Sequence, residues 1–284
     1  MIPGLARGPR RTAHAQAIVT GAGSGIGRAL ALELARRGGR VVCADIDEAS
    51  AKETVGLIEA RGGEAIAVVC DVAQLAEVEH LAAEAAAWHG GAPDLVCNNA
   101  GIGAGGKLVG DVAFADWQRT LGVNLWGVIH GCHVFAPRLR EAGRGGIINV
   151  ASAAGFTAAP RMGPYNVSKA GVLSLSETLA AEFAGTDVGV TVLCPTFVRT
   201  GIFGGELIDA KAADLAARLA KVAGFSADRV ARMTLDAHDA GRLYVVPQLD
   251  ARALWHAKRH LPTTYTRAAG LLGRFAPALE GEKR

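Results

Sequence analysis

Ala15-Gln16-Ala17-Ile18-Val19-Thr20-Gly21-Ala22-Gly23-Ser24-Gly25-Ile26-Gly27-Arg28-Ala29-Leu30-Ala31-Leu32-Glu33-Leu34-Ala35 changes character twice. Its first six residues form a short apolar run suited to a buried strand. Glycine then takes every second position from Gly21 to Gly27. From Arg28 onward the residues are strong helix formers. Strand, glycine loop and helix in that order make a phosphate site. The glycines let the backbone turn sharply and approach a pyrophosphate, and the helix N-terminus offers unpaired N–H groups and a positive dipole end. Gly21, Ser24, Gly25, Ile26 and Gly27 are therefore candidate cofactor contacts.

The next apolar run, Val41-Val42-Cys43-Ala44, ends in Asp45, eighteen residues after Gly27. An acid about 20 residues past the glycines is placed to accept from the hydroxyls of an adenosine ribose. Its charge repels a 2′-phosphate, and neither Ser24 nor Ile46 is a lysine or arginine. The expected cofactor is NAD, not NADP.

A second constellation is Pro164-Tyr165-Asn166-Val167-Ser168-Lys169. Residues four apart on a helix share a face, so Tyr165 and Lys169 point the same way. A phenol of pKa ~10 is a poor base at neutral pH, and a nearby ammonium favours its phenolate. Bringing it to ~7 requires about 4 kcal/mol of differential interaction at ~1.36 kcal/mol per unit.

These segments occur in order with Asn98-Asn99-Ala100-Gly101, Asn124 and Ser152. The ordered set resembles the short-chain dehydrogenases/reductases, closely over 16–201 and loosely to about 247. The glycine spacing, three residues then one, looks like the dehydrogenase branch and not the branch of epimerases and dehydratases. The resemblance implies that Tyr165 is the general acid/base, that Lys169 holds the nicotinamide ribose and lowers the Tyr165 pKa, and that Ser152 binds the substrate oxygen. It implies that Asn124 positions a water linking Lys169 to solvent. It assigns adenine contacts to Asp71 and Val72, and places Asn99, Ala100, Gly101, Pro195, Val198 and Thr200 along the cofactor. Asn98 and Asn99 would close the fourth strand. Where the family carries Pro-Gly, this chain has Pro195-Thr196, which implies a different backbone there. The family's long helices, here about 115–137 and 164–184, pair across a two-fold axis, so a homodimer or homotetramer is expected.

A chain of 284 residues can bury a full α/β core. Strand-like runs at 15–20, 41–45, 65–70, 94–97, 146–151, 189–194 and 243–246 alternate with helical patterns. This predicts a doubly wound parallel sheet, a Rossmann fold of about seven strands with helices on both faces. The expected organisation is a flexible basic N-terminus over 1–13, one domain over 14–250 with a substrate loop at about 200–224, and a helical extension over 251–284. A net charge of +3 gives no reason to expect nucleic acid. The five cysteines lack metal-like spacing, so no metal is expected and a reducing cytoplasm is the natural location. No secretory signal and no run long enough to span a membrane is present.

The segments after Gly101, between Ser152 and Tyr165, and after Thr200 are small or apolar. Gly103, Ala154, Phe156, Met162, Phe197 and Phe203 are the candidate substrate contacts. They suggest a lipophilic or aromatic secondary alcohol and its ketone. Gly204 and Gly205 would let the third segment close as a lid. The basic amphipathic tail either lies on a membrane surface or packs over the substrate lobe or a neighbouring subunit. The expected activity is NAD-dependent hydride transfer. The alternatives are an NAD(P)H-dependent ketone or 3-oxoacyl-type reductase, a lyase or epimerase using bound NAD transiently, and a non-enzymatic NAD-binding module.

Overall fold

The computed structural model describes residues 11–275, apart from the side chains at Phe203, Lys211, Leu215, Ala223 and 272–275. β1 (Gln16–Thr20), β2 (Arg40–Asp45), β3 (Glu64–Val69), β4 (Leu95–Asn98), β5 (Arg144–Val150), β6 (Asp187–Leu193) and β9 (Tyr244–Val245) form one sheet in the order β3-β2-β1-β4-β5-β6-β9. Every pairing is parallel. Parallel strands need crossovers, and helices supply them. α1 (Gly25–Arg36), α2 (Glu48–Glu59) and α9 (Ala227–Asp239) cover one face. α3 (Leu75–His89), α5 (Gly127–Ala142) and α7 (Gly163–Glu182) cover the other. Alternation along β1 divides the core: Ala17 and Val19 pack toward α1 and α9, and Ile18 toward α3 and α5. The direction of winding reverses between β1 and β4, which opens a crevice at the strands' C-terminal ends.

Two elements depart from the sequence expectation. The first long helix is α4 (Phe114–Leu121) and α5 joined by a wider π-helical turn, Gly122–Trp126. Asn124 lies in that turn and is completely buried. The N-terminal boundary also moves. Residues 1–10 lie outside the described residues, but Thr12, expected in a flexible segment, is buried. Its N–H and hydroxyl donate to Asp239 at 2.9 and 2.8 Å, and Arg37 of α1 donates to both residues. This network pins 11–13 between α1 and α9.

The five cysteines are unpaired and buried. Among the described residues, no group of acids, histidines and cysteines is arranged to hold a metal, and no helix is long and apolar enough to cross a membrane. Beyond the sheet, α10 (Leu249–His260) and α11 (Pro262–Phe275) form a helical hairpin.

His238 of α9 lies against β5 and β6 with no exposure to speak of. The Thr191 hydroxyl donates to the Arg242 carbonyl, so His238 Nδ1–H donates to Thr191 Oγ1 at 2.9 Å. Nε2 has no partner. A second ring proton would have no acceptor, and burial, aided by Arg11, pushes the His238 pKa down to about 3. The unfolded chain binds this proton below about 6.5 and the folded chain does not. Stability is therefore lost as pH falls from about 6.5. By pH 5 the loss from this group is about 2 kcal/mol at ~1.36 kcal/mol per unit. Urea titrations at pH 7 and pH 5 should show it, and His238→Gln should remove that part of the pH dependence.

Candidate active site

The glycine loop is shaped by one close approach. Gly21 has φ of 64°, and a Cβ on Gly27 would stand 2.0 Å from the Gly21 carbonyl oxygen. Only glycine at 27 lets the start of α1 come down onto the end of β1. The side chain of Ser24, the N-cap of α1, makes no capping bond, and the first turn carries no acid. Its N–H groups and dipole are thus left for an anion. Asp45, at the end of β2, accepts from Gly23 N–H at 2.8 Å and Asp47 N–H at 3.1 Å. It also lines the cleft, beside exposed Ile46. Arg28, the residue after Gly27, is engaged by Glu53, Thr54 and the Gly23 carbonyl. These features fit the phosphate and ribose of a bound dinucleotide.

Across the crevice, the Thr20 hydroxyl accepts from Asn99 N–H and Ala100 N–H at 3.0 and 3.1 Å. The Asn99 amide returns to the Thr20 carbonyl at 2.8 Å. Asn98 turns inward to Asn149 of β5 at 2.9 Å. This ties the ends of β1 and β4 together. The sequence reading gave Thr20 no such role. A hydroxyl ending an otherwise apolar strand was the available signal.

The catalytic candidates converge from β5, α7 and the π turn. Ser152 follows β5, where it donates weakly to the Pro195 carbonyl at 3.4 Å and accepts from Ala154 N–H. Tyr165 and Lys169 lie one turn apart on α7, with Lys169 Nζ 5.8 Å from the Tyr165 ring centre. Lys169 is buried and donates to the Val150 carbonyl at 2.9 Å. Burial pushes its pKa down to about 8, so it remains mainly protonated at pH 7. Burial raises the Tyr165 pKa, and a hydrogen bond with Ser152 opposes the rise. The phenol therefore lies above its ordinary value here, not below it as expected. Dehydration outweighs the stabilising bond. Asn124 accepts from Ile102 N–H at 2.7 Å and donates to the Ile102 carbonyl at 2.8 Å. A Cβ at Gly101 would stand 3.1 Å from Asn124 Oδ1, tight against it, and 3.4 Å from Lys169 Nζ.

One cavity of about 1140 Å³ contains nearly all of these residues. Gly21, Ser24, Gly25, Ile26, Asp45, Asp71, Val72, Asn99, Ala100 and Gly101 line its cofactor side. Ser152, Tyr165, Lys169, Pro195, Val198 and Thr200 line it as well, and so do four of the expected substrate contacts, Gly103, Ala154, Met162 and Phe197. Gly27 and Asn124 stand behind the wall and shape it. Phe156 is a correction. It is buried in the core against Trp255 of α10, ring centres 5.2 Å apart, because the short helix Ala154–Thr157 turns it away from the cleft. The side chain of Phe203 lies outside the described residues.

The loop after Thr200 is tied to the segment after Gly101. Gly105 and Ile208 form a bridge through Gly105 N–H to Leu207 O at 3.1 Å and Asp209 N–H to Gly105 O at 3.0 Å. Thr196, where the family carries glycine, needs no left-handed backbone. Its N–H is held by Gln248 at 3.2 Å, and Gln248 also donates to the Phe197 carbonyl at 2.9 Å. Gln248 is a positioning group that the sequence reading missed, a buried amide just before α10.

The family model of short chain dehydrogenases matches residues 15–209. The protein described as "Probable oxidoreductase EphD" from Mycobacterium tuberculosis is 46% identical over 185 residues, which cover 65% of this chain and 31% of that protein. The match thus spans less than a third of that relative. The 1-deoxy-11-beta-hydroxypentalenate dehydrogenase of Streptomyces avermitilis is 34% identical over 238 residues, covering 83% of this chain and 85% of its own. A solved short chain dehydrogenase/reductase from Burkholderia phymatum, in complex with NAD, superposes with a TM-score of 0.81 at 38% identity, covering 86% and 92% of the two chains.

Asn124→Ala leaves both backbone groups of Ile102 without their partner. It should lower stability by about 1–3 kcal/mol, read as a lower urea midpoint. A change below about 0.5 kcal/mol would show that the π turn is held by other contacts.

Proposed function

The chain belongs to the short-chain dehydrogenase family, and from that premise we propose that it is an NAD-dependent oxidoreductase of a lipophilic or aromatic secondary alcohol and its ketone. The observation that carries this reading is the sharing of one cavity by the glycine loop, Asp45, Ser152, Tyr165 and Lys169. When bound, NAD supplies the nicotinamide carbon that accepts or gives the hydride. The residues of the chain do the rest.

Ser152 binds the substrate oxygen. Its 3.4 Å bond to Pro195 is long enough to be exchanged at little cost. Tyr165 takes the hydroxyl proton during oxidation and returns it during reduction. Lys169, buried and mainly charged at neutral pH, is the neighbouring cation that favours the phenolate when the proton leaves. Asn124 fixes Ile102 and so the loop beside Lys169. It supports the proton path from Lys169 outward that the family resemblance implies. Asp45 selects NAD, and the NAD complex of the Burkholderia phymatum relative supports that choice. Met162, Phe197, Ile202 and Leu254 in the cavity lining favour a lipophilic substrate, and a relative named for a hydroxypentalenate supports the class. The exposed Phe114, Trp126 and Val167 on α4, the π turn and α7 support the expected two-fold pairing of subunits. The buried, unpaired cysteines support a cytoplasmic location.

NADH formation followed at 340 nm across aliphatic, aryl and polycyclic secondary alcohols, with NAD and NADP in parallel, tests the reading. Turnover with NAD is the expected result, and turnover with NADP alone would overturn the Asp45 argument. Tyr165→Phe should reduce kcat at least 100-fold, the general acid–base contribution, with NADH binding by fluorescence unchanged. Asp45→Ala should weaken NAD far more than NADP and narrow the preference between them by about tenfold, one charge-assisted hydrogen bond's worth.

A further inference from the structure

The C-terminal hairpin enters the same cavity. Leu254 of α10 and Tyr265 and Ala269 of α11 line it together with Met162, Phe197 and Ile202. α10 is fixed to the catalytic loops. Ala251 is buried, Trp255 packs against Phe156 with the rings tilted by 35° and meets Tyr244 edge-on at 4.7 Å, and Arg252 donates to the Val246 carbonyl at 2.8 Å. The chain breaks at Leu261-Pro262 and α11 turns back. Over 262–271 only Tyr265 and Ala269 are not exposed. They are four apart, on one face of α11, and that face meets the cleft.

Tyr265 adds a phenol to the lining. Burial raises its pKa, so its hydroxyl is protonated across the neutral range and is available as a donor. None of the hydrogen bonds found among the described residues uses that hydroxyl. The other polar side chain that the hairpin adds to the lining, Asp250, is directed to Thr196 at 3.5 Å. A half-buried phenol without a partner, facing a cavity, is a recognition group for a ligand that brings its own acceptor.

We propose that Tyr265 reads a second oxygen function of the substrate, remote from the carbon oxidised at Tyr165. The substrate is then a lipophilic secondary alcohol that carries a carbonyl, ether or hydroxyl at its far end, and Ala269 limits its length. This inference rests on the oxidoreductase reading and names the substrate class of the same site.

The test pairs 2-octanol, 2-decanol and 2-dodecanol with the same alcohols bearing a terminal methoxy group, assayed with NAD. In the native protein the oxygenated member of a pair is preferred. Tyr265→Phe keeps the ring and removes the hydroxyl. It should lower kcat/KM about tenfold for the oxygenated member and within twofold for the plain one. Ala269→Leu narrows the far end and should reject the longest members first. Equal effects of Tyr265→Phe on both members, or none on either, overturn this inference and leave the oxidoreductase reading intact. Absence of turnover by the native protein across all pairs overturns both. NADH affinity, measured by fluorescence, should be unchanged in both variants, which separates loss of substrate recognition from loss of folding.

Discussion

The approach of Gly27 to the Gly21 carbonyl governs the geometry of the whole site. A single methyl at Gly27 would overlap that oxygen, so the start of α1 would have to lift from the end of β1. That lift would carry Ser24, Gly25 and Ile26 away from the crevice. Asp45 would lose its bond to Gly23 N–H. On the other side of the crevice, Thr20 and Asn99 tie β1 to β4 through side-chain to backbone bonds. The phosphate end of the cleft is thus held from both strands at the position where winding reverses. A ligand arriving there meets oriented N–H groups and requires little reordering of the chain.

The catalytic end is built on the opposite principle. Its groups are buried enough to be electrostatically costly. Tyr165 is pushed toward its neutral form and Lys169 toward its own, both by dehydration. Each would relieve the other if the phenol gave up its proton, because a phenolate and an ammonium in a dry cleft attract strongly. On the proposed function, this pair is the means by which Tyr165 ionises beside the substrate oxygen. Asn124 contributes from behind, with an amide completely consumed by the Ile102 backbone and the neighbouring Ser168. The π turn that holds it is a local departure from helical spacing, of the kind often found at functional sites.

Specificity elements come from three distant parts of the chain that meet late in the fold. Gly105 bridges Ile208, Gln248 clamps Thr196 and Phe197, and Trp255 backs Phe156. Gln248 and Trp255 thereby join the turn after β6 and the segment 154–157 to the C-terminal hairpin, and Gly105 ties the loop after Thr200 to the segment after Gly101.

The sequence by itself determined the strands, their parallel sheet, the glycine loop and the order Ser152, Tyr165, Lys169. These follow from local signals: apolar runs of strand length, glycine at positions that tolerate no Cβ, and a four-residue spacing along one helix. It also indicated Asp45, because a carboxylate at a strand end needs only the count from Gly27. What it did not determine was which side chains face the cleft where the chain is irregular. Phe156 reads as a pocket residue from its neighbours, yet the turn at 154–157 buries it on Trp255, a hundred residues away. Thr12 reads as tail and is core, because Asp239 and Arg37 reach it only after α1 and α9 pack. The sign of the Tyr165 shift was decided in the same way. Spacing places the lysine, but burial by the whole domain sets how much each charge costs. Tyr265 lines the cavity because the hairpin folds back over it, and local periodicity carries no record of a contact made by tertiary packing.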